Sequence, residues 1–209
     1  LGYNLKIPEE LVYYGVDTEK IKFRERDYKD KLIISHYATN EVTKGTKTIL
    51  RAIKEILKKY PNKFIYKGIQ NLDYKKRIKT GSVKNNWLEN IERMSKCDIY
   101  IETCNLELKY PKLNKVRKFG EWGNTCLEAS ATGCIVLTNS LTKDYYLKEY
   151  TKDYPLMISN SEFDLYNNLV KIANMKRDEL KILSKKYRKW VEDNHSLKKT
   201  GERFINKFC

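Results

Sequence analysis

GEWGNTCLEASATGCIVLTN, residues 120–139, is the stretch whose reading decides the fold. Asn124 and Thr125 open a short apolar helix expected over 124–132, Gly133 stops it, and the unbroken apolar run 134–139 is a strand. A strand without polar alternation is covered on both faces, as in a parallel sheet. Working outward, KLIISHYA (31–38), KFIYKG (63–68), DIYIET (98–103) and PLMIS (155–159) are short runs of the same kind. Helical stretches separate them. In TKTILRAIKEILKKY, Ile49, Leu50, Ile53, Ile56 and Leu57 recur on one face while Lys47, Lys54 and Lys58 point elsewhere. A helix over 85–96 is expected to turn Trp87, Leu88, Ile91 and Met94 inward, and residues 159–161 offer serine caps to SEFDLYNNLVKIAN. Helices over 176–193 and 196–208 close the chain. Strands alternating with helices predict an α/β fold, a Rossmann-like parallel sheet with helices on both faces. It occupies residues 31–175, with a linker at 1–30 and carboxyl-terminal helices at 176–209 that pack on the domain or toward a missing lobe. Residues 104–120 read as a long loop carrying Lys109, Lys112, Lys115, Arg117 and Lys118 and broken by Pro111, and loops of that length are usually functional.

Composition narrows the function classes. The 209 residues carry 42 Lys+Arg against 27 Asp+Glu, a formal charge of +15, which makes an anionic partner plausible. Only nine of the 42 are Arg. Bidentate phosphate and base recognition favours Arg, so much of the excess reads as solvated lysine and no specific nucleic acid is expected. The five cysteines lack C-x-x-C spacing, which argues against a zinc site or disulfide framework, and Cys97, Cys126 and Cys134 sit in apolar stretches as small core residues. No 18-residue apolar run and no secretory signal layout occurs, so the default location is cytoplasmic, with a membrane surface as the alternative. Leu1 in place of Met fits a chain cut from something longer.

Chemistry is expected at the carboxyl ends of the strands, where helix amino termini converge. Two segments fall there. In HYATNEVTKGTK, Lys44, Gly45 and Thr46 lie between the first strand and its helix, where backbone amides and an ammonium suit a phosphate. In GEWGNTCLEASATG, Gly123 lets a ligand approach the backbone, Asn124 and Thr125 start the helix, and Glu128 lies on its first turns with Glu121 seven residues before it. A carboxylate repels phosphates but accepts hydrogen bonds from a diol, which assigns Glu128 to a ribose or hexose. The absence of a G-x-x-x-x-G-K-[ST] loop and of G-x-G-x-x-G argues against a P-loop NTPase and a classical dinucleotide dehydrogenase. His36, at the end of the first strand, reads as a satisfied buried histidine.

Taken together, these segments resemble the carboxyl-terminal, nucleotide-sugar-binding domain of a GT-B glycosyltransferase, similar to family 4. YYGVDTEKIKF (13–23) resembles the N-G-V-D-x-x-x-F segment that leads into that domain, and KGTKTILRAIKEI resembles its K-G-x-x-x-L-x-x-A helix. KNNWLENIERMSKCDIYIE resembles the helix ending in an aspartate before a strand. EWGNTCLEASATGCIVLTNS resembles the E-G-F-G-x-x-x-x-E-A-x-A-x-G-x-P-V-V signature. The four matches occur in order and span nearly the whole chain.

The resemblance implies a retaining, metal-independent transferase whose donor is a UDP-, GDP- or ADP-sugar, with no other cofactor. Lys44 would neutralise the donor diphosphate with Gly45 and Thr46 beside it, and Glu128 would bind ribose hydroxyls. The amides of Gly123, Asn124 and Thr125 would face phosphate or sugar, and Gly81, Ser82 and Val83 would line the base pocket. Lys44 and Glu121 are the catalytic candidates. Two departures stand out. Strict counting places Gly120 at the first signature glutamate, and Ala38, Thr39 and Asn40 occupy the region where an arginine usually precedes the lysine. The acceptor, a glycan, lipid or protein, would bind an amino-terminal GT-B lobe that 209 residues cannot also hold. The alternative is a non-enzymatic basic Rossmann-like module that binds nucleotide or nucleic acid through the lysine loop and tyrosines.

Overall fold

A computed structural model describes residues 14–38, 42–68, 87–104, 107–110, 115–118, 123–140 and 143–208. Gly81, Ser82, Val83, Gly120 and Glu121 lie outside the described residues. In chain order the strands are β1 (Leu32–Ser35), β2 (Phe64–Tyr66), β3 (Ile99–Ile101), β4 (Glu107–Tyr110), β5 (Lys115–Lys118), β6 (Ile135–Thr138) and β7 (Met157–Ile158). The helices are α1 (Thr46–Lys59), α2 (Trp87–Ser95), α3 (Asn124–Ala131), α4 (Lys143–Glu149), α5 (Glu162–Asn174), α6 (Arg177–His195) and α7 (Leu197–Phe208).

Five strands form one parallel sheet in the order β2-β1-β3-β6-β7, the α/β Rossmann-like fold expected. Every residue of β3 and β6 is buried, which requires cover on both faces. The cover comes from amphipathic helices. α1 buries Ile49, Ala52, Ile53 and Ile56 and packs on α5, while α3 packs on α6 and α2. The chain leaves β1 on one side to make β2, then crosses back to make β3 on the other. That reversal opens a crevice at the carboxyl ends of β1 and β3.

Pinning the other end of the sheet is Asp98, the aspartate before β3. Its Oδ2 accepts from the Ile33 N–H at 2.8 Å, and its Oδ1 lies 3.4 Å from Arg26 Nε. Arg26 is buried and donates to the carbonyls of Cys97 at 3.0 Å and Thr132 at 2.8 Å. Residues 14–30 are thereby tied into the sheet. At the carboxyl end of the chain, α6 donates from Ser184 Oγ to Gly133 O at 2.6 Å and from Tyr187 OH to Val136 O at 3.1 Å. Cys97, Cys104, Cys126 and Cys134 are all buried as free thiols.

Two expectations are corrected. Residues 107–110 and 115–118 are not loop but an antiparallel ribbon, pairing Glu107 with Lys118 and Tyr110 with Lys115. Apolar and polar residues alternate through Glu107-Leu108-Lys109-Tyr110, the period of a strand. Leu88 faces outward at 58% exposure and Trp87 is 37% exposed, so α2 turns only Met94 and part of Ile91 to the core. The short helix α4 was not expected.

Candidate functional site

Two loops meet at the crevice. The first leaves β1 and turns into α1 through Lys44 and Gly45. Gly45 sits at φ 69°, the left-handed region that favours glycine, and caps α1 without a side-chain hydrogen bond. His36 braces this turn. Its Nδ1 donates to Ile101 O at 2.7 Å, since a carbonyl only accepts, and its Nε2 meets Thr46 Oγ1 at 2.8 Å. His36 is thus the satisfied buried histidine expected, and the buried Thr46 hydroxyl is spent on it rather than turned to the crevice.

The second loop follows β3. The Cys104 N–H donates to Lys44 O at 3.4 Å, joining the loops through the main chain. Glu102, which no motif singles out, stands at this junction with 1% exposure. Its Oε1 takes the Lys44 ammonium and its Oε2 accepts from Thr125 Oγ1 at 2.8 Å. Lys44 and Thr125, 81 positions apart, are gathered on one carboxylate. The signal that could have found it is an acidic residue closing an otherwise apolar buried strand: in water-poor surroundings a carboxylate must have partners.

Gly123 caps α3 at φ −82°, with no side-chain cap and no acidic residue in the first turn. Among the described residues nothing demands glycine there: the atom nearest to a Cβ would be Glu102 Oε1, at an ordinary 3.6 Å. Asn124 is exposed beside it. One helical turn further, Glu128 is buried, with 9% exposure, and accepts from Trp87 Nε1 at 2.7 Å. Burial raises the Glu128 carboxyl above its ordinary pKa, the Trp87 bond opposes this, and the Glu102 charge adds to the rise.

The structure therefore brings Lys44, Gly45, Thr46, Gly123, Asn124, Thr125 and Glu128 to one end of the sheet. Two helix amino termini without side-chain caps, one ammonium and two carboxylates converge there. Among the described residues no group of three or more potential metal-ligating side chains occurs, and no helix is long and apolar enough to cross a membrane.

No known family matches the sequence, and no curated protein matches it. Solved structures do match in fold. The N-terminal domain of Candida albicans trehalose-6-phosphate phosphatase superposes with a TM-score of 0.59 at 15% identity, over 93% of this chain and 48% of that one. HepE of Anabaena, in complex with UDP and glucose, gives 0.57 at 11% identity over 95% of this chain and 56% of that one. The pneumococcal O-GlcNAc transferase GtfA, in complex with UDP and GlcNAc, gives 0.52 at 14% identity over 94% of this chain and 37% of that one. The chain spans about half the length of the structures it matches, and at these identities the likeness establishes a shared Rossmann-like fold.

Proposed function

We propose that the chain is the donor-binding lobe of a GT-B glycosyltransferase of the family 4 kind, taking a nucleoside-diphosphate sugar into the crevice between α1 and α3. One observation carries the reading: Lys44 and two helix amino termini without side-chain caps face one point at the sheet reversal, and beside them Gly123 leaves room that no atom of the described residues crowds. That point suits a diphosphate. Glu128, held by Trp87, is placed one turn along for a ribose diol. Complexes of HepE and GtfA with UDP agree with such a ligand.

In the reaction the bond from the sugar's anomeric carbon to the diphosphate oxygen breaks, and the electron pair stays on the diphosphate. The acceptor hydroxyl oxygen bonds to the same face of that carbon and gives up its proton to the departing diphosphate oxygen. This chain's part is electrostatic. The Lys44 ammonium and the amides opening α1 and α3 are fixed before the charge develops, so they stabilise the leaving group without reorganising. Glu121 is the remaining catalytic candidate, toward the donor sugar. The acceptor, a glycan, lipid or protein, belongs to an amino-terminal lobe, and the exposed Leu197, Phe204 and Ile205 of α7 suit a contact with it.

Calorimetric titration with UDP, GDP and ADP, each with and without an attached sugar, tests the reading. Saturable binding with a base preference that persists in salt is expected. A folded sample that binds none of them refutes it. Binding that falls steeply with salt and shows no base preference would replace it with a polyanion-binding module using the basic β4–β5 ribbon.

A further inference from the structure

Glu102 is out of place in a pocket meant for phosphates. It is buried and therefore poorly screened, and the described crevice holds one cation, Lys44, against two carboxylates, Glu102 and Glu128. Resting on the donor-site reading above, we propose that Glu102 is a specificity-determining residue that selects the sugar-bearing diphosphate diester over the free nucleoside diphosphate.

The argument is one of charge. A nucleoside-diphosphate sugar carries roughly two negative charges at neutral pH, whereas the free nucleoside diphosphate, with its terminal phosphate exposed, carries close to three. A site whose lysine stood alone would hold the more highly charged product more tightly. Here the ammonium is matched by Glu102, so the attraction left for an anion comes from the amides opening α1 and α3. Those amides suffice for the diester. The third charge of the product then meets a buried carboxylate whose formal charge cancels that of Lys44.

Geometry places Glu102 to do this without touching the ligand. Among the described residues, Oε1 is the atom nearest to a Cβ built on Gly123, at 3.6 Å, so the carboxylate lies directly under the opening of α3. Thr125 Oγ1 fixes the other oxygen at 2.8 Å. A ligand phosphate that draws Lys44 outward leaves Glu102 less compensated, and one that does not faces an ion pair of no net charge. In the first case the penalty grows with the charge of the ligand, and in the second the extra charge gains no attraction from Lys44. The chemical consequence is release of product ahead of donor, with the product distinguished by charge rather than shape.

Glu102→Gln tests this, because the amide keeps the side chain's shape and can still meet Lys44 and Thr125. The probes are UDP and UDP-glucose, GDP and GDP-mannose, and ADP and ADP-glucose, and the pair that the native chain binds best is carried to the variant. Glu102→Gln is expected to tighten the free diphosphate about tenfold and the sugar diphosphate about threefold or less, shifting their ratio at least threefold. Equal tightening of both, no change, or a loss for both would overturn the proposal while leaving the donor site standing. Should the native chain bind none of the six, both readings fall together. If Glu102→Gln does not fold by its melting profile, Lys44→Met is compared with the Lys44→Met, Glu102→Gln double variant, in which the same shift of ratio is expected and a constant ratio contradicts it.

Discussion

The two ends of α3 are built on opposite principles, though each is marked by a glycine. Past its carboxyl end, Gly133 has φ 90°, and a Cβ there would lie 2.6 Å from Phe23, 2.7 Å from Arg26 and 2.9 Å from Ser184. The protein itself requires that glycine. At the amino end, Gly123 has ordinary backbone angles and, among the described residues, no close neighbour that accounts for it. The same contrast separates whole helices. α5 begins with the Ser161 hydroxyl accepting from the Asp164 N–H at 3.1 Å, and α6 begins with Glu179 accepting from the Lys176 N–H at 2.6 Å. α1 and α3 have neither device and no acid in the first turn. Of these four helices, α5 and α6 satisfy their own amino termini with side chains, whereas α1 and α3, which face the crevice, do not.

Substitutions at these positions can break the contrast. Gly133→Ala is expected to cost about 3 kcal/mol or more of stability, from a left-handed alanine and overpacking together, read by denaturant unfolding. Gly123→Ala should shift stability by less than about 1 kcal/mol yet weaken nucleotide binding roughly tenfold. If the alanine at 123 bound as well as the native chain, the difference between the two ends would be only one of packing. Ser161→Ala should cost about 1 kcal/mol with nucleotide affinity unchanged, since the Ser161 hydroxyl caps the Asp164 amide within α5 itself.

The smallest effect concerns Glu128. Its folded carboxyl holds the proton to higher pH than the unfolded one, because burial penalises the anion. The unfolded state is therefore the better acid, and folding stability falls as pH rises from the ordinary glutamate range through the raised folded pKa. Glu128→Gln should match the native chain's melting temperature at low pH and exceed it at neutral pH, by a few °C at most. Nucleoside affinity should fall in the same variant. A melting difference that stays constant across pH would deny that Glu128 is strained by burial.

How much of this was legible in the sequence follows from how local each feature is. β1, β3, β6 and the Gly133 stop are written in contiguous apolar runs and one glycine, and Lys44, Gly45 and Gly123 lie at the junctions such runs define. The β4–β5 ribbon was hidden because lysines and Pro111 gave its segment the composition of a loop, while its strands are only four residues each. Leu88 was read inward from helical spacing, but α2 meets the body through Met94 and leaves its first turn to the crevice side, where Trp87 reaches Glu128. Glu102 was invisible for a deeper reason. Its meaning comes from Lys44, 58 residues earlier, and only the crossing from β2 back to β3 brings the two together.

The account rests most heavily on Lys44 as the diphosphate ligand. Titrating the native chain and Lys44→Ala with the preferred nucleoside diphosphate and with its parent nucleoside tests that most directly. The account predicts that diphosphate affinity falls about thirtyfold, near 2 kcal/mol for a charged hydrogen bond, while nucleoside affinity is unchanged. Equal losses for both ligands, or none for either, would contradict it.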